Sequence, residues 1–340
     1  MWAVSPSIAD RRRAVAYLTW QHKSLTLSET SITAIAGKES MKRKYLSMKL
    51  HGVPGEAQKL SVFVCNQNPV DIDKTPKPKE ETAEAEAAAQ KTKFKQAISR
   101  ARQTIVELAL NNHLDFFFTG TFDPEKHDRK NIEQLMKELC KWLNNFRSRH
   151  ADELQYIIVP EMHADGSWHV HGFLSGIPMQ YLQKFEIGMQ MSSYLARKVK
   201  QGKEIFNFPA YAKKFGFCDL EPIADKERCA SYVTKYVTKN LESTAAVLDS
   251  GAHLFYASKG LNRCKRVVAE DVPEFAVEHL STLARDGRIY ETDFGCGFDI
   301  SIPADCDAEQ FVRDILDGYG ISVQFNQSIP WDELLADAPW

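Results

Sequence analysis

Apolar residues near the middle of the chain follow two spacings, one typical of helices and one typical of strands. Between residues 94 and 109 they recur every three or four positions, which predicts a helix that ends at Asn111-Asn112. The short aromatic run at 114–122 predicts a central strand, and residues 131–149 predict a second helix. A helix, a strand and a second helix therefore begin the predicted core.

Two further strand-like runs, 154–161 and 168–174, flank Asp165-Gly166, a dipeptide that favours a tight β-hairpin turn. Three more elements are predicted after the hairpin: a helix over 179–200, a strand over 215–223 and a helix over 225–241. Helices and strands in this order favour an α+β fold built on one antiparallel sheet.

Periodicity and composition divide the chain into four regions. We expect an N-terminal accessory region (1–70), a linker that passes into a helix (71–93), a central domain (94–268) and an acidic C-terminal module (269–340). Residues 270–340 contain 3 Lys/Arg and 16 Asp/Glu, whereas the rest of the chain is mildly basic. Because such an end should repel nucleic-acid phosphate, we expect it to contact a partner or a second copy.

The composition is that of an ordinary globular protein, with 44% hydrophobic and 26% charged residues among 340. No apolar run is long enough to span a bilayer, and the first residues do not resemble an export segment. We therefore expect a cytoplasmic protein without membrane contact. The seven cysteines are scattered without a Cys-x-x-Cys pair, so neither a disulfide framework nor a zinc finger is indicated.

A pair of histidines on the second hairpin strand is the first candidate for chemistry. His169 and His171 are two residues apart, so both imidazoles leave the same face of the sheet and can converge on one ion. The alternative is that one histidine is a hydrogen-bonded core residue and the other is incidental. A short His-x-His pattern alone does not decide between these interpretations.

A third ligand would come from the neighbouring strand, where Glu161 and His163 share one face. A two-residue turn would send Glu161 to the face opposite His169. An odd-length loop such as 164–166, with Gly166 in the left-handed conformation, places Glu161 opposite His169. Neutral imidazoles with one carboxylate suit Mg²⁺ or Mn²⁺ bound to a phosphate, although imidazole would also accept zinc.

A second candidate lies in the last predicted helix. Tyr232 and Tyr236 are one helical turn apart and share a face, as do Lys235 and Lys239. One interpretation is an amphipathic helix with half-buried tyrosines. The other is that a phenol attacks a phosphodiester and stores the bond energy as a phosphotyrosine, while the lysines offset phosphate charge.

Three motifs, in this order and at this separation, together resemble those of HUH endonucleases: Phe118-Thr119-Gly120-Thr121-Phe122-Asp123, His169-Val170-His171 and Tyr232-Val233-Thr234-Lys235-Tyr236. Within that superfamily the chain is similar to rolling-circle replication initiators of small single-stranded-DNA phages and related plasmid or prophage elements. The resemblance covers residues 94–266. It implies a ferredoxin-like antiparallel sheet with helices on one face, flanked by accessory segments.

The resemblance also implies the roles of the candidate residues. His169, His171 and Glu161 would hold a divalent metal, Mg²⁺ or Mn²⁺, with His163 as the alternative third ligand. Tyr232 and Tyr236 would be nucleophiles, assisted by the two neighbouring lysines.

Members of that family nick single-stranded DNA at an origin hairpin, stay attached to the 5′ phosphate, leave a free 3′ hydroxyl and religate by strand transfer. Because the chain has no Gly-x-x-x-x-Gly-Lys-Ser/Thr phosphate loop, strand separation would require a host helicase, and a host polymerase would extend the 3′ end in a bacterial cytoplasm. Alternatives are an HUH transposase or a plasmid-mobilising relaxase, a DNA-binding regulator that does not cleave, and a zinc-stabilised structural protein.

Overall fold

A computed structural model describes residues 43–65, 83–238, 253–292, 295–321, 323 and 325. Much of the expected N-terminal region, most of the linker, Lys239 and the last fifteen residues lie outside the described residues. None of the helices in the described ranges is both long enough and apolar enough to cross a membrane.

The described elements alternate along the chain. The strands are β1 (Arg43–His51), β2 (Gln58–Cys65), β3 (Phe116–Thr121), β4 (Gln155–Met162), β5 (Trp168–Ser175), β6 (Gln183–Lys184), β7 (Phe206–Asn207), β8 (Cys218–Pro222), β9 (Tyr256–Ala257), β10 (Lys265–Pro273), β11 (Ile289–Thr292) and β12 (Gly295–Ile302). The helices are α1 (Ala83–Leu110), α2 (Ile132–His150), α3 (Ser193–Lys200), α4 (Pro209–Lys214), α5 (Lys226–Thr238), α6 (Glu274–Thr282) and α7 (Ala308–Asp317). The α+β class with antiparallel sheets and accessory segments is confirmed.

The strands form two sheets rather than the single sheet expected. The larger has seven strands in the order β6-β7-β8-β3-β5-β4-β9, and the smaller has five in the order β10-β1-β2-β12-β11. The expected helix over 179–200 is wrong for most of its length. Gln183 and Lys184 instead pair with β7, and only Ser193–Lys200 is α-helical.

Helices cover both faces of the seven-stranded sheet, which corrects the expectation of helices on one face. Phe116 and Phe118 of β3 pack with the apolar residues of α2, whereas Ile157 and Phe173 on the opposite face pack with α1 and α5. The cause is visible in β4, where six consecutive residues are buried and neither face is left polar. A strand that is apolar on both faces needs cover on both.

The five-stranded sheet joins the two ends of the chain. β1 and β2 of the N-terminal region pair with β10 and β12 of the C-terminal region, and β10 crosses the boundary expected between residues 268 and 269. One face is apolar and packs against α6 and α7. The charges of the two ends meet here: Lys44 lies 3.4 Å from Glu274, and Lys59 lies 3.4 Å from Asp299. The acidic end therefore offsets basic residues of the N-terminal strands.

A buried ion pair joins the two sheets. Glu107 of α1 is only 3% exposed and accepts hydrogen bonds from the guanidinium of Arg263, which precedes β10. Burial favours the neutral form of Glu107, but the hydrogen bond and charge of Arg263 outweigh it and lower the pKa to about 2. A buried carboxylate without such a partner would be strongly destabilising, so this pair fixes how α1 meets β10.

We expect that truncation after residue 269 prevents the five-stranded sheet from folding. It removes the buried residues Phe298, Ile300, Ile302, Val312 and Leu316. Each contributes roughly 1.5–3 kcal/mol, a sum comparable with the stability of a typical domain. Thermal unfolding and soluble yield are the measurements, with truncation after residue 325 as the control. A shortened chain that melts at the temperature of the full chain would contradict the expectation.

Candidate functional site

The β4–β5 hairpin sets the register of the candidate site. Glu161 pairs directly with His169. The backbone N–H of His163 donates to the carbonyl of Ser167 at 2.8 Å, and Gly166 has φ +80°. The loop therefore has three residues with a left-handed glycine, which confirms the odd-length loop that Glu161 requires.

Glu161 and His171 meet on the face of the sheet that α5 covers. Both side chains are buried, and the Nε2 of His171 lies 2.8 Å from the Oε2 of Glu161. The other ring nitrogen, Nδ1, lies 3.4 Å from the hydroxyl of Thr119 on β3. Polar partners at both nitrogens fix the orientation of the His171 ring, as the second shell of a metal ligand does.

His169 is less buried and is turned toward the hairpin loop. Its ring stacks on that of His163 with centroids 3.8 Å apart, and its Nε2 lies 3.4 Å from a terminal nitrogen of Arg129. Burial, together with the charges of His163 and Arg129, lowers the pKa of His169 to about 4. The imidazole is therefore neutral at neutral pH, the form in which histidine binds a metal.

The donor set fits a divalent ion, but its three side chains are not assembled around one point. No group of three or more His, Cys, Asp or Glu side chains in the described ranges is arranged to hold a metal. The 2.8 Å between Glu161 and His171 is close to the ~3 Å that separates neighbouring ligands of an octahedral ion with ~2.1 Å bonds. Two ligands are thus in place, and the third requires the His169 ring to turn away from His163.

Helix α5 places both tyrosines beside this group. The ring of Tyr236 stacks on that of His171, with centroids 3.9 Å apart and planes 7° apart. The ring of Tyr232 lies 5.3 Å from that of Tyr236 and 5.7 Å from that of Phe117. The expectation that the tyrosines share one helical face is confirmed, and that face lies over His171.

The two phenols have different surroundings. Burial, then a hydrogen bond with Tyr232, raises the pKa of Tyr236 well above its ordinary value. Tyr232 is 48% exposed, and the ammonium of Lys235 lies 5.7 Å from its ring centroid. Lys239 lies outside the described residues. Tyr232 is therefore open to a ligand from solvent, whereas Tyr236 is held against the histidine.

Sequence patterns missed Arg129, and they missed Asp219 of β8. Asp219 pairs in register with Thr119, which pairs in turn with His171. Burial, reinforced by the charge of Glu221, raises the pKa of Asp219 to about 7. The Nε of Arg129 is buried without a hydrogen-bond partner among the described residues. The alternation along β8 could have placed Asp219 on the correct face, but its neighbour β3 is distant in sequence.

The raised pKa of Asp219 predicts a pH-dependent stability. The folded state retains this proton up to about pH 7, whereas the unfolded carboxyl loses it near 3.8, so stability falls as pH rises between these values. Asp219→Asn should therefore gain roughly 2–3 kcal/mol over the wild type between about pH 5 and about pH 8.5. Urea unfolding at both pH values measures it, with the exposed Asp317→Asn as control. An equal effect of Asp219→Asn at both pH values would contradict the expectation.

Comparison with known proteins gives one match. Residues 115–241 match the family model described as Replication-associated protein, of the ORF2 type, which is well under half of the chain. The matched segment includes β3, the β4–β5 hairpin and α5, and therefore every candidate side chain described above. No curated protein and no solved structure matches the chain. The similarity supports a role in replication initiation and is consistent with a rolling-circle replication initiator.

Proposed function

We propose that this protein is a rolling-circle replication initiator of the HUH type, which nicks single-stranded DNA at an origin hairpin and religates it by strand transfer. The observation that carries the proposal is the stacking of Tyr236 on His171, whose Nε2 contacts the carboxylate of Glu161. A nucleophile candidate and two metal-ligand candidates therefore touch on one face of the sheet. The matched replication-associated family supports replication as the context.

His169, His171 and Glu161 would hold Mg²⁺ or Mn²⁺, with His163 as the alternative third ligand. Such an ion would polarise the scissile phosphate and offset the charge that develops on it. Thr119 supports the His171 ring from behind by its contact with Nδ1. The neutral state of His169 leaves its lone pair free for the ion.

The covalent step is the attack of a tyrosine hydroxyl on phosphorus. A bond forms between the phenolic oxygen and phosphorus, and the bond from phosphorus to the 3′ oxygen breaks. The phenol gives up its proton and the 3′ oxygen takes up a proton, so the products are a 5′ phosphotyrosine and a 3′ hydroxyl. Lys235 would offset phosphate charge, a host polymerase would extend the 3′ end and a host helicase would separate the strands.

Religation reverses this chemistry. A 3′ hydroxyl attacks the phosphotyrosine, the phosphodiester is restored and the phenol is released. A round of copying ends with a second transfer while the first phosphotyrosine still holds DNA, and two phenols one helical turn apart provide both nucleophiles.

The first test of the proposal concerns the metal. His169→Ala or His171→Ala should abolish Mn²⁺-dependent cleavage of labelled single-stranded DNA, and Glu161→Gln should weaken Mn²⁺ binding at least tenfold in calorimetry, because each removes a ligand. Exposed His163→Ala should leave binding within a few-fold of the wild type. A larger loss from His163→Ala than from Glu161→Gln would assign the third ligand to His163. Full cleavage in the presence of a chelator would overturn the metal site.

The second test concerns the nucleophiles. Tyr232→Phe and Tyr236→Phe should each retain part of the nicking activity, and the double variant should form no covalent adduct on a denaturing gel. Tyr194→Phe, which removes the hydroxyl of another exposed tyrosine, is the control and should leave adduct formation unchanged. If one single variant loses all cleavage and the other behaves as wild type, one tyrosine works alone. An adduct that persists in the double variant would remove the assignment, and binding without any adduct in the wild type would indicate a regulator.

A further inference from the structure

A cleft of about 850 Å³ lies between the five-stranded sheet and the helices α1 and α5. Lys49 and Lys59 line it from the sheet, Lys95 and Arg102 from α1, and Ser231 from α5. Its volume is typical of clefts that enclose a drug-sized ligand, which corresponds to a few nucleotides of one strand and excludes a duplex. None of these residues belongs to the candidate catalytic group.

The sheet wall of the cleft is polar because of strand alternation. The apolar face of the five-stranded sheet packs against α6 and α7, which leaves Lys49, Lys59 and Ser61 on the other face. Ion pairs hold this wall in place: the ammonium of Lys59 lies 2.8 Å from a carboxylate oxygen of Glu227 on α5. The buried Glu107 at the base of the cleft is offset by Arg263. The cleft is therefore preformed and carries an excess of positive charge.

The helical wall supplies the basic side chains that have no internal ion pair. Lys95 and Arg102 lie two turns apart on one side of α1, and both are exposed. Neither forms a salt bridge with another described residue. Like charges that face a cleft in this way raise its affinity for anions.

The sheet wall also carries two aromatic rings. Tyr290 of β11 and Phe63 of β2 are the neighbours of Gly297 of β12 on either side, and both line the cleft. A side chain at Gly297 would collide with the Tyr290 ring, because a Cβ there would overlap a ring carbon. The glycine thus lets the Tyr290 ring lie along the sheet, with the residue 48% exposed. An exposed ring beside a basic groove is a platform on which a base can stack.

We infer that this cleft binds single-stranded DNA and leads it toward Tyr232, an inference that deepens the proposed function and rests on it. Ser231 lines the cleft and also lines a neighbouring pocket of about 420 Å³ that contains Tyr232 and Lys235. The two hollows therefore meet beside the exposed tyrosine. Basic side chains along one wall and aromatic rings on the other are the combination that grips single strands without reading their sequence.

The test measures the binding of a fluorescein-labelled 20-nucleotide oligothymidylate to the full-length chain by anisotropy at two salt concentrations. Lys95→Ala/Arg102→Ala should weaken binding at least tenfold and reduce the salt slope by about 0.7 for each phosphate that the variant no longer neutralises. Tyr290→Leu, which retains an apolar side chain, should weaken binding about fivefold or more because a base can no longer stack there. Lys141→Ala/Arg149→Ala on α2 removes the same charges from exposed positions across the larger sheet and should leave binding unchanged.

Binding by Lys95→Ala/Arg102→Ala that equals that of the wild type would overturn the cleft, and so would tighter binding of a duplex of the same length. Adduct formation, measured on the same proteins with a single-stranded library and Mn²⁺, separates the two proposals. A wild type that forms no adduct, with cleft variants that lose binding, sinks the catalytic proposal and supports the cleft. Adduct formation with unimpaired cleft variants supports the chemistry and overturns the cleft.

Discussion

The candidate site depends on one constraint, the pairing register of the β4–β5 hairpin. Because side chains alternate along a strand, a shift of one residue would send Glu161 to the opposite face from both histidines. The three-residue loop and the left-handed Gly166 fix the pairing of Glu161 with His169. With that register, the polar side chains of both strands face α5, and the apolar residues of the opposite face pack against α2. The site and one of the main cores are thus set by the same turn.

Burial of Glu161 and His171 gives this register its chemical consequence. A buried carboxylate is costly unless it is paired, so the imidazole of His171 stabilises Glu161. The same contact holds two candidate ligands at the separation that a small divalent ion requires. Tyr236 closes the group by stacking on His171, and its own burial favours the neutral phenol. Ionisation of that phenol therefore requires nearby positive charge, which connects the tyrosine to the proposed metal and to Lys235.

Local patterns were sufficient for the parts of the site that lie close together in sequence. The shared face of His169 and His171, the odd loop and the one-turn spacing of the tyrosines all follow from the geometry of single strands, turns and helices. Asp219 was missed because its position beside Thr119 depends on β8 pairing with β3, which a single sequence does not reveal. Residues 183–184 were assigned to a helix because their composition permits one, but pairing with β7 overrides that local preference.

The pairing of the two chain ends was beyond local patterns for the same reason, and it changes the interpretation of the charge division. Bringing β1 to β10 closes a loop of more than 200 residues, and because the entropic cost grows only with the logarithm of loop length, a buried apolar face readily offsets it. Acidic residues of the C-terminal strands then lie against basic residues of the N-terminal strands, so the acidic end partly neutralises its own sheet. The lysines that face away from this pairing border the cleft with α1. The wall that carries Lys49 and Tyr290 therefore exists only when both ends of the chain are present.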